Sequence, residues 1–331
     1  MRDTHTDMRA LVQQTLDGPE DLILLRVPRP RPAPGEYLIR VGAAGVNFAD
    51  VSQTRGIYGG GPQAPYRAGF EAVGEIVEIG PRVADPLPLG TRIIGSGPGA
   101  FAEYAAVTAA ESIRVPAGWS DAQTLGMILN WATAAAALRT VGGLERGETV
   151  LIHAAAGGVG QAAVRLARHH GARVVASAAS AKHDVLRTLG ADVILDSRRP
   201  DLGETVLHAV GPVDLVLESV GQATLGVSLA VAKPFTGRVV IFGSASGPAL
   251  VSTQELIFEH HAQLRGLHIG ALAAAARAAY RDLLTELDDL IAQGVYTPGS
   301  PQMHALDEGP AVLARLEAGS TIGKHGLDPW R

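Results

Sequence analysis

Two rhythms of apolar and polar positions divide this chain of 331 residues. From residue 8 to about residue 118, short β-branched runs (8–12, 22–27, 37–41, 72–79, 92–94 and 101–107) alternate with Pro- and Gly-rich connectors such as "PRPRPAPGE" and "GIYGGGPQAPYRAG". Runs of strand length bounded by turn formers predict a β-rich domain with a loop-built surface. Beyond Gly147, apolar runs (149–153, 173–177, 192–195, 213–218 and 238–242) alternate with helical stretches (160–170, 181–189, 202–210 and 225–232). That second rhythm predicts repeated βαβ units around a parallel sheet.

Between the two lies "GWSDAQTLGMILNWATAAAALRTV", where Ser120 and Gln123 have capping-box spacing ahead of an Ala-rich helix. A domain boundary is expected there. The tail carries a long Ala-rich helix, 271–293, and two short runs that return to complete the first domain. The expected organisation is a loose polar leader over 1–7, a β-rich domain over 8–125 and 268–331, and a βαβ domain over 126–267. The fold class is α/β.

Composition narrows the picture further. The net charge of -5 is spread without acidic or basic blocks, which indicates a soluble globular protein and no nucleic-acid partner. The chain has 0 cysteines, so disulfides, thiol catalysis and thiolate-ligated zinc are excluded together. No stretch reaches the roughly 18 uninterrupted apolar residues of a membrane span, and a cytoplasmic location is expected.

The candidate chemistry begins at "LIHAAAGGVGQAAVRLARHHGARVVAS", residues 151–177. Strand, glycine turn, helix and strand span about 30 residues, the size of one βαβ unit. A helix that begins inside a glycine run presents unpaired N–H groups and the positive end of its dipole, to which a pyrophosphate can come close. The spacing Ala154-x-x-Gly157-x-x-Gly160 puts alanine at the first fingerprint position, and Ala156, Gly157, Gly158, Val159 and Gly160 form the expected dinucleotide turn. An NAD site places Asp or Glu at the end of the second strand, whereas this one ends Ser177-Ala178-Ala179-Ser180-Ala181-Lys182. Hydroxyls of Ser177 and Ser180 and the charges of Lys182, Arg198 and Arg199 suit a 2′-phosphate instead, so NADPH is the expected cofactor.

From Met8 onward the chain resembles the medium-chain dehydrogenase/reductase superfamily, in its zinc-free quinone oxidoreductase (ζ-crystallin-like) branch. The resemblance rests on "GVNFADV…GIYGG", "GFEAVGEIVEIG", "HAAAGGVGQAAVRLARHHGA", "LGADVILD", "DLVLESVG", "GRVVIFGSASG" and "TIGKHGL", in that order. It implies a GroES-like catalytic domain, a doubly wound Rossmann domain and a nicotinamide cofactor in the cleft between them. Zinc-dependent relatives carry a ligand cysteine at the position of Asn47 and a ligand histidine at that of Phe70, so no metal is expected. The histidine pairs 169–170 and 260–261 are read as surface or packing residues.

By the same resemblance Asn47, Asp50 and Tyr58 line the substrate side, with Tyr58 the only phenol near the chemistry. Asn47 and Asp50 can equally hold the "GVNFAD" turn together. Asn47, Thr133, Val220, Phe242, Gly243, Ser244 and Lys324 are implied cofactor contacts, Arg198 stands in for a tyrosine that relatives carry at Ser197, and His268 either faces the nicotinamide pocket or, as the favoured reading, packs at the domain junction. The implied activity is hydride transfer to a quinone or enone. Reduction of an enoyl thioester or alkenal is the alternative, with Arg55 and Arg67 flanking the glycine-rich loop, and an NADPH-binding structural or regulatory role is a third. A homodimer formed through the Rossmann sheet edge near 238–242 is also implied.

Overall fold

The computed structural model describes residues 7–331, so the expected leader lies outside the described residues except for Asp7, which opens the first strand. The chain forms two compact units, Met1–Ile128 with Pro298–Arg331, and Leu129–Thr297. The tail therefore divides later than the sequence suggested. Residues 268–297 go with the second unit, and only the last segment returns to the first.

In the first unit the strand Glu36–Val46 is the organiser. It pairs antiparallel with Glu71–Ile79, with Tyr104–Thr108 and with His325–Asp328, and Gln302–Ala305 continues the sheet in parallel beside the last of these. Two of the short tail runs thus complete the sheet, as their apolar pattern suggested. The pairing with Glu71–Ile79 slips between Val41 and Ala43. Gly74 sits opposite that irregularity, where a Cβ would lie 2.1 Å from the Arg40 carbonyl oxygen, so only glycine permits the approach. Ile39, Val41, Ile76, Ile93, Phe101, Leu313 and Leu327 fill the core behind this sheet.

The second unit is a six-stranded sheet, every pair parallel: Val193–Asp196, Arg173–Ala178, Thr149–Ile152, Leu215–Glu218, Arg238–Ile241, Gln263–Gly266. Numbered along the chain, this is the order 3-2-1-4-5-6 of the doubly wound dinucleotide fold, whose switch point lies between the first and fourth strands. The sixth strand was not expected, because Gln263–Gly266 reads "QLRG" and has no apolar alternation. It takes the edge position that the sequence assigned to 238–242.

Three helical expectations also change. Ser120 and Gln123 do form the reciprocal capping box, but the short turn Asp121–Thr124 that they cap stops at Gly126, φ 90°, and the Ala-rich helix follows as one run through Met127–Trp131, Ala132–Ala135 and Ala136–Thr140, wide-turned at both ends. The predicted 271–293 helix is two, Ile269–Ala275 and Arg277–Ala292, parted at Ala276 with φ −124° and ψ 54°. Phe48–Thr54, read as a turn, is a short helix. Among the described residues no helix is long and apolar enough to cross a membrane.

Candidate functional site

The strand Thr149–Ile152 ends in the glycine turn, and the helix Gly158–His169 starts from an N-cap at Gly157. Gly160 is there for close packing: a Cβ on it would lie 2.5 Å from the Ala155 Cα. Ala154, in the first fingerprint position, is held at φ 47°, a left-handed conformation that costs a non-glycine residue about 1–2 kcal/mol. The backbone geometry of the fingerprint is therefore kept although the residue departs from it.

At the switch point the structure reveals two side chains that motif reading passed over. Glu218, fully buried at the end of its strand, accepts hydrogen bonds from the Val220 and Gly221 N–H groups at 2.7 and 2.9 Å, from Thr224 Oγ1 at 2.8 Å and from Ser228 Oγ at 2.5 Å. It fixes the loop that carries Val220. The next loop is tied to it, since Ser246 N donates to the Val220 carbonyl at 2.7 Å and Ala245 N to that of Ser219 at 3.2 Å. The expected contacts Val220 and Phe242-Gly243-Ser244 are thereby brought to one rim. The second side chain, buried His153, has its Nδ1 2.8 Å from Ser177 Oγ, and burial holds its pKa below the ordinary imidazole value.

That contact changes the reading of Ser177. It is fully buried and its hydroxyl is taken by His153, so the residue ties two strand ends together and does not face an open phosphate pocket. Ser180 is exposed in the turn that follows, and Lys182 is half-buried. Burial first, and then the Arg198 charge, push the Lys182 pKa down. Arg199 is committed elsewhere, because its guanidinium forms a bidentate pair with Asp201 at 2.7 and 3.0 Å. Thr133 is buried in the Ala132–Ala135 turn, and His268 caps the helix Ile269–Ala275 by accepting from Ala271 N at 3.0 Å.

The first unit holds the other group. Asn47 caps the short helix Phe48–Thr54, and its N–H donates to Asp50 Oδ2 at 2.8 Å. The Asn47 amide is fully engaged: Nδ2 donates to the Gly45 carbonyl at 3.2 Å and to Glu71 Oε2 at 3.1 Å, while Oδ1 accepts from Lys324 Nζ at 2.6 Å. Lys324 also lies 2.5 Å from Glu71 Oε2, and Glu71 Oε1 accepts from Gly126 N at 2.8 Å. Lys324, expected at the cofactor, is here the cation of a largely buried network, and Glu71, the buried one of three glutamates in its strand, was missed.

Asp50 is buried, its Oδ1 has no partner, and desolvation raises its pKa to about 8. Tyr58 is half-buried, its pKa raised by burial and then by the Asp50 charge. A second phenol shares that field: Tyr66, whose buried hydroxyl has no partner and whose pKa is raised by the same two causes. Tyr58 is thus not the only phenol here. The donor set does not suit zinc, because Asn47 is committed to Glu71 and Lys324 and Phe70 carries no donor atom. Among the described residues no three His, Asp or Glu side chains cluster as metal ligands.

Two family profiles match the chain, the "Alcohol dehydrogenase GroES-like domain" over residues 33–117 and the "Zinc-binding dehydrogenase" over residues 158–289. Polyketide synthase GfsB of Streptomyces halstedii is 36% identical over 88% of this chain, which spans 5% of that protein's length. Among solved structures, a mycobacterial protein complexed with NADPH is 30% identical with TM-score 0.92, covering 97% of this chain and 100% of its own. Escherichia coli quinone oxidoreductase complexed with NADPH is 27% identical with TM-score 0.88, covering 98% and 100%. CurK enoyl reductase is 26% identical with TM-score 0.86, covering 98% and 99%. With a GroES-like unit, a 3-2-1-4-5-6 Rossmann unit and a relative matched from end to end, the chain belongs to the medium-chain dehydrogenase/reductase superfamily of oxidoreductases.

Proposed function

We propose that the protein is an NADPH-dependent, metal-independent reductase that delivers hydride to a quinone or another acceptor conjugated to a carbonyl. The observation that carries the cofactor choice is the second-strand terminus, where no carboxylate stands between Ser177 and Lys182 and Lys182 feels the charge of Arg198. Two structural neighbours are NADPH complexes, which supports the same choice.

Bound NADPH supplies the hydride. The backbone of Gly157–Gly160 receives the pyrophosphate, Lys182 and Arg198 the 2′-phosphate, and the rim fixed by Glu218 the nicotinamide end. Negative charge grows on the acceptor oxygen as hydride arrives, and a hydrogen-bond donor must meet it. Tyr58 is that donor. Asn47 is excluded from the role because its N–H donors already serve Gly45 and Glu71.

Double-bond reduction in an enoyl thioester or alkenal is the second reading, favoured by the likeness to a polyketide synthase and to an enoyl reductase. Arg55 gives it no support, because its guanidinium is paired with Glu317 and Glu20. A panel of quinones, enones and enoyl thioesters, followed by loss of reduced-nicotinamide absorbance, separates the readings. Binding of NADPH without turnover on any acceptor would point to a regulatory role. A homodimer through the sheet edge is also proposed, because Gln263–Gly266 is an outer strand and Phe235, Leu250, Ile257 and Phe258 are exposed in the same unit. Sedimentation of Phe258→Asp against wild type tests it.

A further inference from the structure

Arg55 takes no part in the chemistry proposed above, yet its guanidinium makes five hydrogen bonds, one for each N–H donor. Nε and Nη2 form a fork on Glu317 at 2.8 and 2.9 Å, Nη1 and Nη2 lie 3.2 and 3.4 Å from the Glu20 carboxylate, and Nη1 also donates to the Asp17 carbonyl. The guanidinium crosses Gly18, where any Cβ would collide with it. A single exposed ion pair adds little stability, but a planar guanidinium held on two sides has a fixed orientation. Arg55 therefore ties the end of the helix Phe48–Thr54 to the turn 17–20 and to the last residue of the helix Gly309–Glu317.

The helix end so held is where the Tyr58 loop begins. Arg55 is the C-cap, Gly56 follows in the left-handed conformation at φ 66°, and the Gly56 and Ile57 N–H groups donate to the Gln53 and Ser52 carbonyls at 3.1 and 3.0 Å, a closed Schellman turn. Tyr58 N donates to the same Ser52 carbonyl at 3.2 Å, so the Tyr58 backbone hangs directly from the helix. Leu16, beside Asp17, packs on this turn, since a Cβ on Gly56 would lie 3.1 Å from Leu16 Cδ1. Beyond Tyr58 the loop is open: a Cβ on Gly59 or Gly60 would meet nothing within 4 Å. We propose that Arg55 is a positioning residue, which holds the Tyr58 hydroxyl in place for the acceptor by clamping the helix end from which the Tyr58 backbone hangs. This rests on the reading of Tyr58 as the hydrogen-bond donor. In this role Arg55 acts through Tyr58 alone and touches neither acceptor nor cofactor.

A double-mutant cycle tests the clamp. Misplacing a reacting group by about an ångström costs up to about a hundredfold, so Arg55→Met should lower kcat about tenfold, with the Kd of NADPH unchanged. With Tyr58→Phe already in place no hydroxyl is left to position, and Arg55→Met should then cost no more than about twofold further. Glu317→Gln loosens the fork from its far end with hardly any change in side-chain volume, and it should give the same pattern more mildly. Arg55→Met with wild-type kcat, or with the same fold loss in the Tyr58→Phe background, overturns the clamp alone, and Glu317→Gln decides in the same way where Arg55→Met does not fold. Tyr58→Phe with wild-type kcat, or a wild type that reduces no acceptor, overturns the donor reading and the clamp with it.

Discussion

Lys324 Nζ lies 2.5 Å from Glu71 Oε2, with the two side chains only 12% and 1% exposed, so a residue from the C-terminal segment neutralises a carboxylate from the middle of the first unit's sheet. Removing one member leaves the other charged and buried, a loss of about 3–5 kcal/mol. Lys324→Met should therefore lower the unfolding free energy of the protein by that amount in a urea titration. Replacing both partners, Lys324→Met with Glu71→Leu, should recover much of the loss. A single variant as stable as wild type would show that the pair is not closed in solution.

Cofactor selectivity separates two residues that the sequence placed together. A charge-assisted hydrogen bond is worth about 1.5–3 kcal/mol, so Lys182→Ala should weaken NADPH about ten- to a hundredfold while leaving NADH nearly unchanged, and Arg198→Ala should do the same more mildly. Ser177→Ala should not discriminate between the cofactors. It should instead cost about 1–3 kcal/mol of stability, because His153 Nδ1 loses its buried partner. Fluorescence titration of both cofactors against the three variants checks this. A selective NADPH loss in Ser177→Ala would contradict the buried placement.

Tyr58→Phe keeps the ring and removes the donor. If the hydroxyl meets the developing charge, kcat should fall roughly a hundredfold or more with KM little changed. Raised KM at unchanged kcat would assign Tyr58 to substrate packing.

The first unit also has a built-in acid sensitivity. His304 Nε2 lies 3.0 Å from His325 Nδ1, both rings are buried, and burial first of all holds both pKa values below the ordinary 6.5. Neighbouring positive charge adds to this, from Arg315 at His304 and from His304, Arg315 and Lys324 at His325. A folded-state value below the unfolded one means that the pair's stability is present above pH 6.5 and lost as pH falls below it. Melting temperature should decline from pH 7 to pH 5, and His304→Gln with His325→Asn should flatten that decline. An equal slope in the double variant would place the sensitivity elsewhere.

These residues also show what one-dimensional reading can reach. Local signals carried well: the capping box at Ser120 and Gln123 formed, and the βαβ rhythm beyond Gly147 became the parallel sheet. Failures came where tertiary packing overrides local pattern. Gln263–Gly266 is a strand because the fifth strand offers it an edge, and the predicted 271–293 helix parts at Ala276, where no turn former stands. At the site, residue types were legible but partners were not. Ser177 is a hydroxyl at the right strand end, yet its partner, His153, directly follows a strand and stands 24 residues earlier. Glu71, Glu218 and Tyr66 were each visible in the sequence, but the exposed glutamate four residues after Glu71 in the same strand shows that residue type alone does not mark which is buried or what is bonded to it.

The central claim is hydride transfer from NADPH to a conjugated acceptor, and isotope tracing tests it most directly. NADPH deuterated at the nicotinamide C4 position that is transferred, incubated with the protein, an enone and a strong chelator, should deliver one deuterium to the acceptor's β-carbon, with NADP formed in equal amount. A quinone should consume NADPH under the same conditions. Retention of all deuterium in NADPH with every acceptor, or transfer that stops when the chelator is added, would contradict the account.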